Sequence, residues 1–289
     1  MSTATKPYKR LKRIKDQQRF SIENIEQFTL TIFIGTREFQ LSIFDQNKRC
    51  LLFEDYVFAE TKNVAQKRAI IQQIYEDHHL LMAGFWGKVN VIIKNKFFTF
   101  IPDALYLEEH NKEYLNATCG IEEDYHVSTN KIDDFINLFA YDRQWDKFLT
   151  SYYPTITPNF YHQGSAIVKG IKNTQRQQPG RKLYLYVDRF ILHAIILDFG
   201  HLIYYNRFGI KSFDDYIKYF YMVASEFEID LASDEVKIWG YLTESSPHFV
   251  EFRKYINNIS FGNRPANLHF GYMFDELPDH QFLEMFSLV

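Results

Sequence analysis

One order of elements occurs twice in this 289-residue chain. In the first half FTLTIFIG, TREFQLSIFD and RCLLFEDYVF read as three closely spaced strands. A helical stretch from Thr61 to about Asp77 and the strand KVNVIIK follow. In the second half RKLYLYVD, RFILHAIILD and HLIYYNRF are followed by a helical stretch from Ser212 to about Phe227 and by EVKIWGYL. Three strands in a meander, then a helical crossover to a fourth, constrain each half to an α/β unit built on a mixed sheet.

The local signals agree with this order. Gly35-Thr36-Arg37 makes the first tight turn, and Val64, Ile71, Ile74 and Tyr75 recur at helical spacing. Ser212 and Asp215 have capping-box spacing at the start of the second crossover helix. In LYLYVDRFILHAIILD both strand faces are apolar, as a sheet covered on both sides requires. Between the halves, KVNVIIK and FFTFIP read as a hairpin, Pro102 opens a helix through Leu115, and residues 123–141 form a strand pair extending the first sheet. Helices are expected from Asp142 to Tyr152, His162 to Asn173, Ser246 to Ile256 and beyond Pro278, with a strand near Leu268 to Met273. The polar stretch NTQRQQPGRK is the natural break. The expected organisation is a basic flexible tail over 1–20, a first domain over 21–175 and a second over 176–289.

Charge and composition narrow the function classes. The net charge is −3, yet residues 1–19 hold seven Lys or Arg against Asp16 alone, so the body is acidic. Nucleic-acid binding is therefore not expected apart from this tail, which reads as a solvated end. The two cysteines, Cys50 and Cys119, form no CxxC pair, so neither a zinc knuckle nor a disulfide framework is indicated. No apolar run approaches the roughly 20 residues of a membrane helix, and no secretory signal is present, which points to the cytoplasm. Aromatic residues make up 18% of the chain, which suits strand and core positions. GxxxxGK[ST], GxGxxG and GxSxG are all missing. His78-His79 reads as helix-end capping or exposure, and His193 as a core histidine. A two-metal nuclease built on Asp188, Glu226 and Asp234 would need those carboxylates to converge.

The order β-β-β-α-β-α-β-α, with IFIGTREFQLSIFD, the strands from Leu183 to Phe208 and VKIWGYL, resembles the duplicated ribonuclease H-like units of the actin-like ATPase superfamily. In particular it is similar to a bacterial family of uncharacterised function with that fold. The superfamily implies ATP and Mg²⁺ in a cleft between the halves, held by a D-x-G-[ST] turn, a second D-x-G turn and a glycine pair after a late strand. Here Gly35 and Thr36 match the first turn, followed by Arg37, while Phe33 stands at its Asp position. Asp188 and Arg189 match the second, while Phe190 stands at its Gly. Trp239-Gly240-Tyr241 keeps one glycine of the last. Half of each motif is present, so the candidate cleft residues are Gly35, Thr36, Arg37, Asp188, Arg189 and Gly240, with no catalytic or metal-binding residue assigned. Phe33 and Phe190 are expected to fill the phosphate space. The expectation is a non-catalytic adaptor or scaffold that binds a protein partner without a cofactor. The alternative is a nucleotide-binding ATPase or small-molecule kinase with atypical phosphate loops.

Overall fold

The computed structural model describes residues 6–175 and 179–289. Fourteen strands among them form three sheets. In the first half β1 (Tyr8–Lys15), β2 (Thr29–Ile34), β3 (Glu38–Phe44), β4 (Cys50–Phe58), β5 (Lys88–Ile93) and β9 (Asn159–His162) build one sheet, ordered β1-β4-β3-β2-β5-β9. In the second half β10 (Arg181–Asp188), β11 (Ile191–Asp198), β12 (His201–Gly209), β13 (Val236–Gly240) and β14 (Ile259–Phe261) build another, ordered β12-β11-β10-β13-β14. Leaving β1 aside, each sheet has three antiparallel meander strands and two parallel strands in the same spatial order. A third sheet, β6-β8-β7 from β6 (Phe98–Pro102), β7 (Tyr125–Ile132) and β8 (Phe135–Asp142), is inserted between β5 and β9.

Each main sheet is covered on both faces. Helices α1 (Val64–Glu76) and α3 (Gln144–Tyr152) pack Ile71, Ile74, Tyr75, Phe148 and Leu149 against Leu30, Ile32, Leu41 and Val91 of the first sheet. Helices α5 (Phe213–Glu226) and α6 (Pro247–Phe252) pack Tyr216, Phe220, Phe249 and Phe252 against Leu185, Ala194 and Ile238 of the second. Ser212 and Asp215 form the expected capping box on α5. Helix α4 (Gln163–Thr174) lies between the halves. Its Ala166 packs into the cluster with Phe33, and its Ile167, Val168 and Ile171 into the one with Tyr186 and Trp239. A helix buried over so much of its first turns needs small or apolar residues there, which Gly164, Ala166, Ile167, Val168, Gly170 and Ile171 supply, while Lys169 and Lys172 lie outside the buried set. Residues 268–288 have almost no regular structure. They fill the first sheet's inner face, where Phe274, Phe282, Met285 and Phe286 meet Phe33, Phe44, Phe53 and Ile92.

Several expectations are corrected. The tail read as flexible over 1–20 contains β1, paired antiparallel to β4 from Tyr8 to Lys15; residues 1–5 lie outside the described residues. Strand β4 is buried almost throughout, and its free edge needs a hydrogen-bonding partner. The tail supplies one and seats Ile14 at 4% exposure. KVNVIIK and FFTFIP are not a hairpin, because β5 and β6 belong to different sheets. Asn95 redirects the chain between them, accepting from the Phe97 amide and donating to the Ala140 carbonyl. The 123–141 pair joins β6 in the separate sheet rather than extending the first. The helix expected from Pro102 begins at Asn111 as α2 (Asn111–Thr118), because Pro102 still pairs with Phe135 and the Asp103 amide donates to Asp134. The Leu268–Met273 strand is reduced to one bridge between His269 and Arg49, and the last helix to a 3-10 turn over Leu283–Phe286. Helix α6 is also shorter than expected, while the short parallel strands β9 and β14 carried too few residues to be read from periodicity. Part of the NTQRQQPGRK break, residues 176–178, lies outside the described residues.

The β1 correction has a measurable consequence. Glu54 of β4 is fully buried and lies 3.0 Å from Arg13 Nε and 3.2 Å from His78 Nε2. Removing residues 1–16 should lower the melting temperature, since it takes away both Ile14 and a partner of that carboxylate. Ile14→Ala alone should cost about 2–4 kcal/mol in urea unfolding. An unchanged midpoint for both variants would return β1 to the status of a loose end.

Candidate functional site

The inner face of the first sheet is half polar. Thr31, Gln40, Ser42 and Asn90 are all fully buried there, beside Phe33 and Ile92, to which the strand register ties them. Two of them find partners at the far end of the chain, while the Thr31 hydroxyl has none among the described residues. Ser42 Oγ donates to the Met285 carbonyl at 3.1 Å, and Asn90 Nδ2 to that of Leu288 at 3.0 Å. Gln40 Nε2 reaches both Asp55 Oδ1 and Tyr241 Oη, at 3.0 and 2.9 Å.

At the end of this face the two halves meet through charge. Lys94, just past β5, places its Nζ 2.5 Å from Glu38 Oε1 and 2.8 Å from Asp188 Oδ2, and all three side chains are no more than 3% exposed. Asp188 ends β10 and also accepts from Gln163 Nε2 at 2.6 Å, at the first turn of α4. Glu38 folds back under the β2–β3 turn, where its Oε2 accepts the Arg37 amide at 2.9 Å. This is why residue 35 must be glycine: a Cβ there would sit 2.5 Å from the Glu38 side chain. Lys67 Nζ closes the turn by donating to the Gly35 carbonyl at 2.9 Å. Burial works to raise the Glu38 pKa, but Lys94, Arg189 and the Arg37 amide outweigh it and hold the carboxyl below its ordinary value. Burial likewise works against the Lys94 ammonium, and the Asp188 and Glu38 carboxylates reverse it, raising its pKa.

The sequence-predicted residues fall around this triad unevenly. Gly35, Arg37 and Asp188 are in it or bonded to it, and Arg189 Nη1 lies 3.9 Å from Glu38 Oε2. Thr36 is exposed at the turn. Gly240 sits against Val187, the residue before Asp188, with φ +110° and with no room for a Cβ. Arg37 and Arg189 also line an open pocket of about 480 Å³ with Lys6 and Lys9. Phe33 is buried, but against Ile92, Ala166 and the C-terminal aromatics. Phe190 is 76% exposed at the β10–β11 turn, so it fills no cleft; Arg189, with φ +55°, turns the chain so that residue 190 faces water. The nuclease trio is dispersed: Glu226 is exposed and Asp234 lies 3.5 Å from Lys182. Among the described residues no group of three or more His, Cys, Asp and Glu could hold a metal ion.

The residues that organise the site, Glu38 and Lys94, carried a signal that motif matching does not use. Each is a charge placed at the end of a strand whose other residues are buried. The histidines divide. His193 is a core residue bonded to Tyr205 Oη at 2.7 Å, as expected; His78 follows the end of α1, where its Nδ1 accepts the Leu81 amide at 3.3 Å and its Nε2 lies against the buried Glu54, and His79 is exposed. Below the triad, burial pushes the Glu284 carboxyl up to about 7, Asp188 adding to the effect, although the Tyr186 hydroxyl donates to it. Burial also raises Asp55 to about 6, against the opposing bond from Gln40.

A family profile described as a protein of unknown function (DUF3822) matches residues 17–259. The chain belongs to this family. Among solved structures it is similar to a Bacteroides thetaiotaomicron VPI-5482 protein described as having an actin-like ATPase fold and unknown function. That match has TM-score 0.72 and 23% identity, and covers 84% of this chain and 93% of the other. It is also similar to a chain of the PilM–PilN type IV pilus biogenesis complex, with TM-score 0.60 and 10% identity, covering 90% and 97%. A search of curated proteins finds no match. The protein has the actin-like ATPase fold expected from its strand order. Among the described residues no helix is long and apolar enough to cross a membrane.

Two outcomes follow from the site. Lys94→Met leaves Glu38 and Asp188 facing each other without the ammonium between them and should cost about 3–5 kcal/mol in urea unfolding. Adding Glu38→Gln and Asp188→Asn should return most of that loss. The pH dependence has a definite sign. Glu284 and Asp55 have raised values, so the stability of their neutral forms is fully present below the unfolded values near 4–4.5 and is lost as pH rises toward 7. Glu38 acts oppositely, its contribution disappearing as pH falls below about 4.5. Glu284→Gln should therefore flatten the fall in melting temperature between pH 5 and 8. At pH 8 it should stabilise by on the order of 2 kcal/mol.

Proposed function

We propose that this protein is a non-catalytic member of the actin fold that works as an adaptor or scaffold binding a protein partner. One observation carries the reading: the position between the halves is filled by the chain's own Glu38–Lys94–Asp188 triad. A phosphate bound at the first turn would need free backbone amides, and the Arg37 amide is committed to the Glu38 carboxylate. A Mg²⁺ ion would need carboxylate oxygens, and those of Glu38 and Asp188 are held by an ammonium. ATP and Mg²⁺ therefore do not fit the residues present. The similarity to a chain of the PilM–PilN complex supports a role built on protein contacts.

A second reading, a nucleotide binder with atypical loops, is favoured by one feature. The pocket lined by Lys6, Lys9, Arg37 and Arg189 could hold phosphate groups beside the triad rather than in it.

Calorimetry separates the two. Titration with ATP and Mg²⁺ at about 1 mM, which corresponds to about −4 kcal/mol, should give no saturable heat and no phosphate release. Saturable binding that is lost in Asp188→Asn or in Arg37→Gln/Arg189→Gln would overturn the adaptor reading in favour of the nucleotide one.

A further inference from the structure

The small inserted sheet and the second half face each other across a groove of about 590 Å³, and its two cations, Arg207 and Lys96, form no salt bridge among the described residues. Arg207 of β12 is largely enclosed. Its Nε is buried without a hydrogen bond, and no carboxylate lies within ion-pair distance of its guanidinium. Burial lowers its pKa from the ordinary value. Lys96 is exposed at the groove mouth, its ammonium 5.4 Å from the Phe97 ring. Buried arginines are normally paired, because an enclosed guanidinium without an anion is costly. Lysines on edge strands often serve only to keep chains apart. That role suits Lys96 and not Arg207, which is turned inward.

The shape of the groove says what kind of anion would complete it. Three consecutive residues of β6 (Phe98, Thr99, Phe100) and three of β12 (Tyr205, Asn206, Arg207) line it. Successive strand residues face opposite ways, so a cavity touching three in a row runs along the strand edge rather than over one face. Among the described residues both edges are unpaired: β6 bonds to β8 alone, and β12 to β11 alone. Between them Phe98 and Phe100 pack against Tyr205, edge-on and tilted, with ring centroids 5.8 and 4.6 Å away.

We propose that this groove binds an extended, acidic segment of a partner protein. Its backbone pairs with the free edge of β6 or β12, its carboxylates meet Arg207 and Lys96, and its apolar side chains rest on the aromatic floor. The proposal rests on the adaptor reading and names the surface and the partner chemistry.

The chain carries its own reporter. Cys50 is fully buried, so Cys119, partly exposed in the groove wall, is the accessible thiol. The probe is a fluorescein-labelled peptide Glu-Val-Glu-Phe-Glu-Val, with Lys-Val-Lys-Phe-Lys-Val as control. The acidic peptide should bind saturably below about 1 mM and slow maleimide modification of Cys119. Alternate N-methylation of its backbone should abolish both effects. Arg207→Gln and Lys96→Gln should each weaken binding about tenfold. Lys96 is exposed, so its variant still reads out if Arg207→Gln fails to fold. No saturable binding, equal binding of the basic peptide, or unchanged affinity in the Lys96 variant would overturn the proposal. So would inorganic phosphate alone protecting Cys119 as fully as the peptide, which would make this a small-anion site. The nucleotide titration reports on a different place. ATP binding with peptide binding intact would overturn the adaptor reading alone, and failure of the peptide with no ATP binding would overturn this inference alone.

Discussion

Everything between the two halves depends on how a half-polar sheet face is covered. Thr31, Gln40, Ser42 and Asn90 cannot be buried against hydrocarbon without costing a few kcal/mol each in lost hydration. Residues 268–288 solve this for Ser42 and Asn90 by staying irregular. An α-helix keeps its carbonyls for itself, whereas this segment offers those of Met285 and Leu288 to Ser42 and Asn90. Its aromatic side chains meanwhile fill the gaps around Phe33, Phe44 and Phe53. The absence of helix there is a requirement of the surface it covers.

The same constraint accounts for the triad. Two carboxylates approach each other where the first turns of the two sheets converge, and an uncompensated pair there would repel strongly in a low-dielectric interior. Lys94 relieves this from the end of β5, which is tied to β2 by register. A buried ionic group of this kind adds little net stability over an apolar replacement. Its effect is to fix one relative placement of the halves, because the ammonium bonds Glu38 of one and Asp188 of the other at once. Glu38 ties this arrangement back to the turn through Arg37, so turn conformation and closure between the halves are one structural fact.

The fold was legible in the sequence wherever an element is specified locally. The meander strands, the Ser212–Asp215 box and the two crossover helices follow from period and capping residues a few positions apart. The sequence was silent or misleading wherever a residue's state is set by a distant partner. YKRLKRIK reads as a solvated run until β4 is seen to need an edge partner. His78 is the helix end it reads as, but nothing near it in the sequence points to the buried Glu54 beside it. In the candidate site, Gly35 and Asp188 could be placed by motif. Glu38 and Lys94 could not, since no motif records that a carboxylate fills its own turn or that a lysine lies between two sheets. Phe190 failed for a related reason: its exposure follows from the left-handed conformation at Arg189, which the sequence does not announce.

The long separation between Ser42 and Met285, 243 residues, has a consequence for how the chain is made. At ribosomal speeds on the order of 5–20 residues per second, tens of seconds pass between the emergence of β3 and of the segment that covers it. During that interval the face carrying Gln40, Ser42 and Asn90 stands in water. A uniformly apolar face would spend it recruiting other nascent chains, whereas hydroxyls and amides remain hydrated. The polar residues that complicate the finished interior are therefore suited to an earlier moment, when half of the protein must wait, soluble, for the rest of itself.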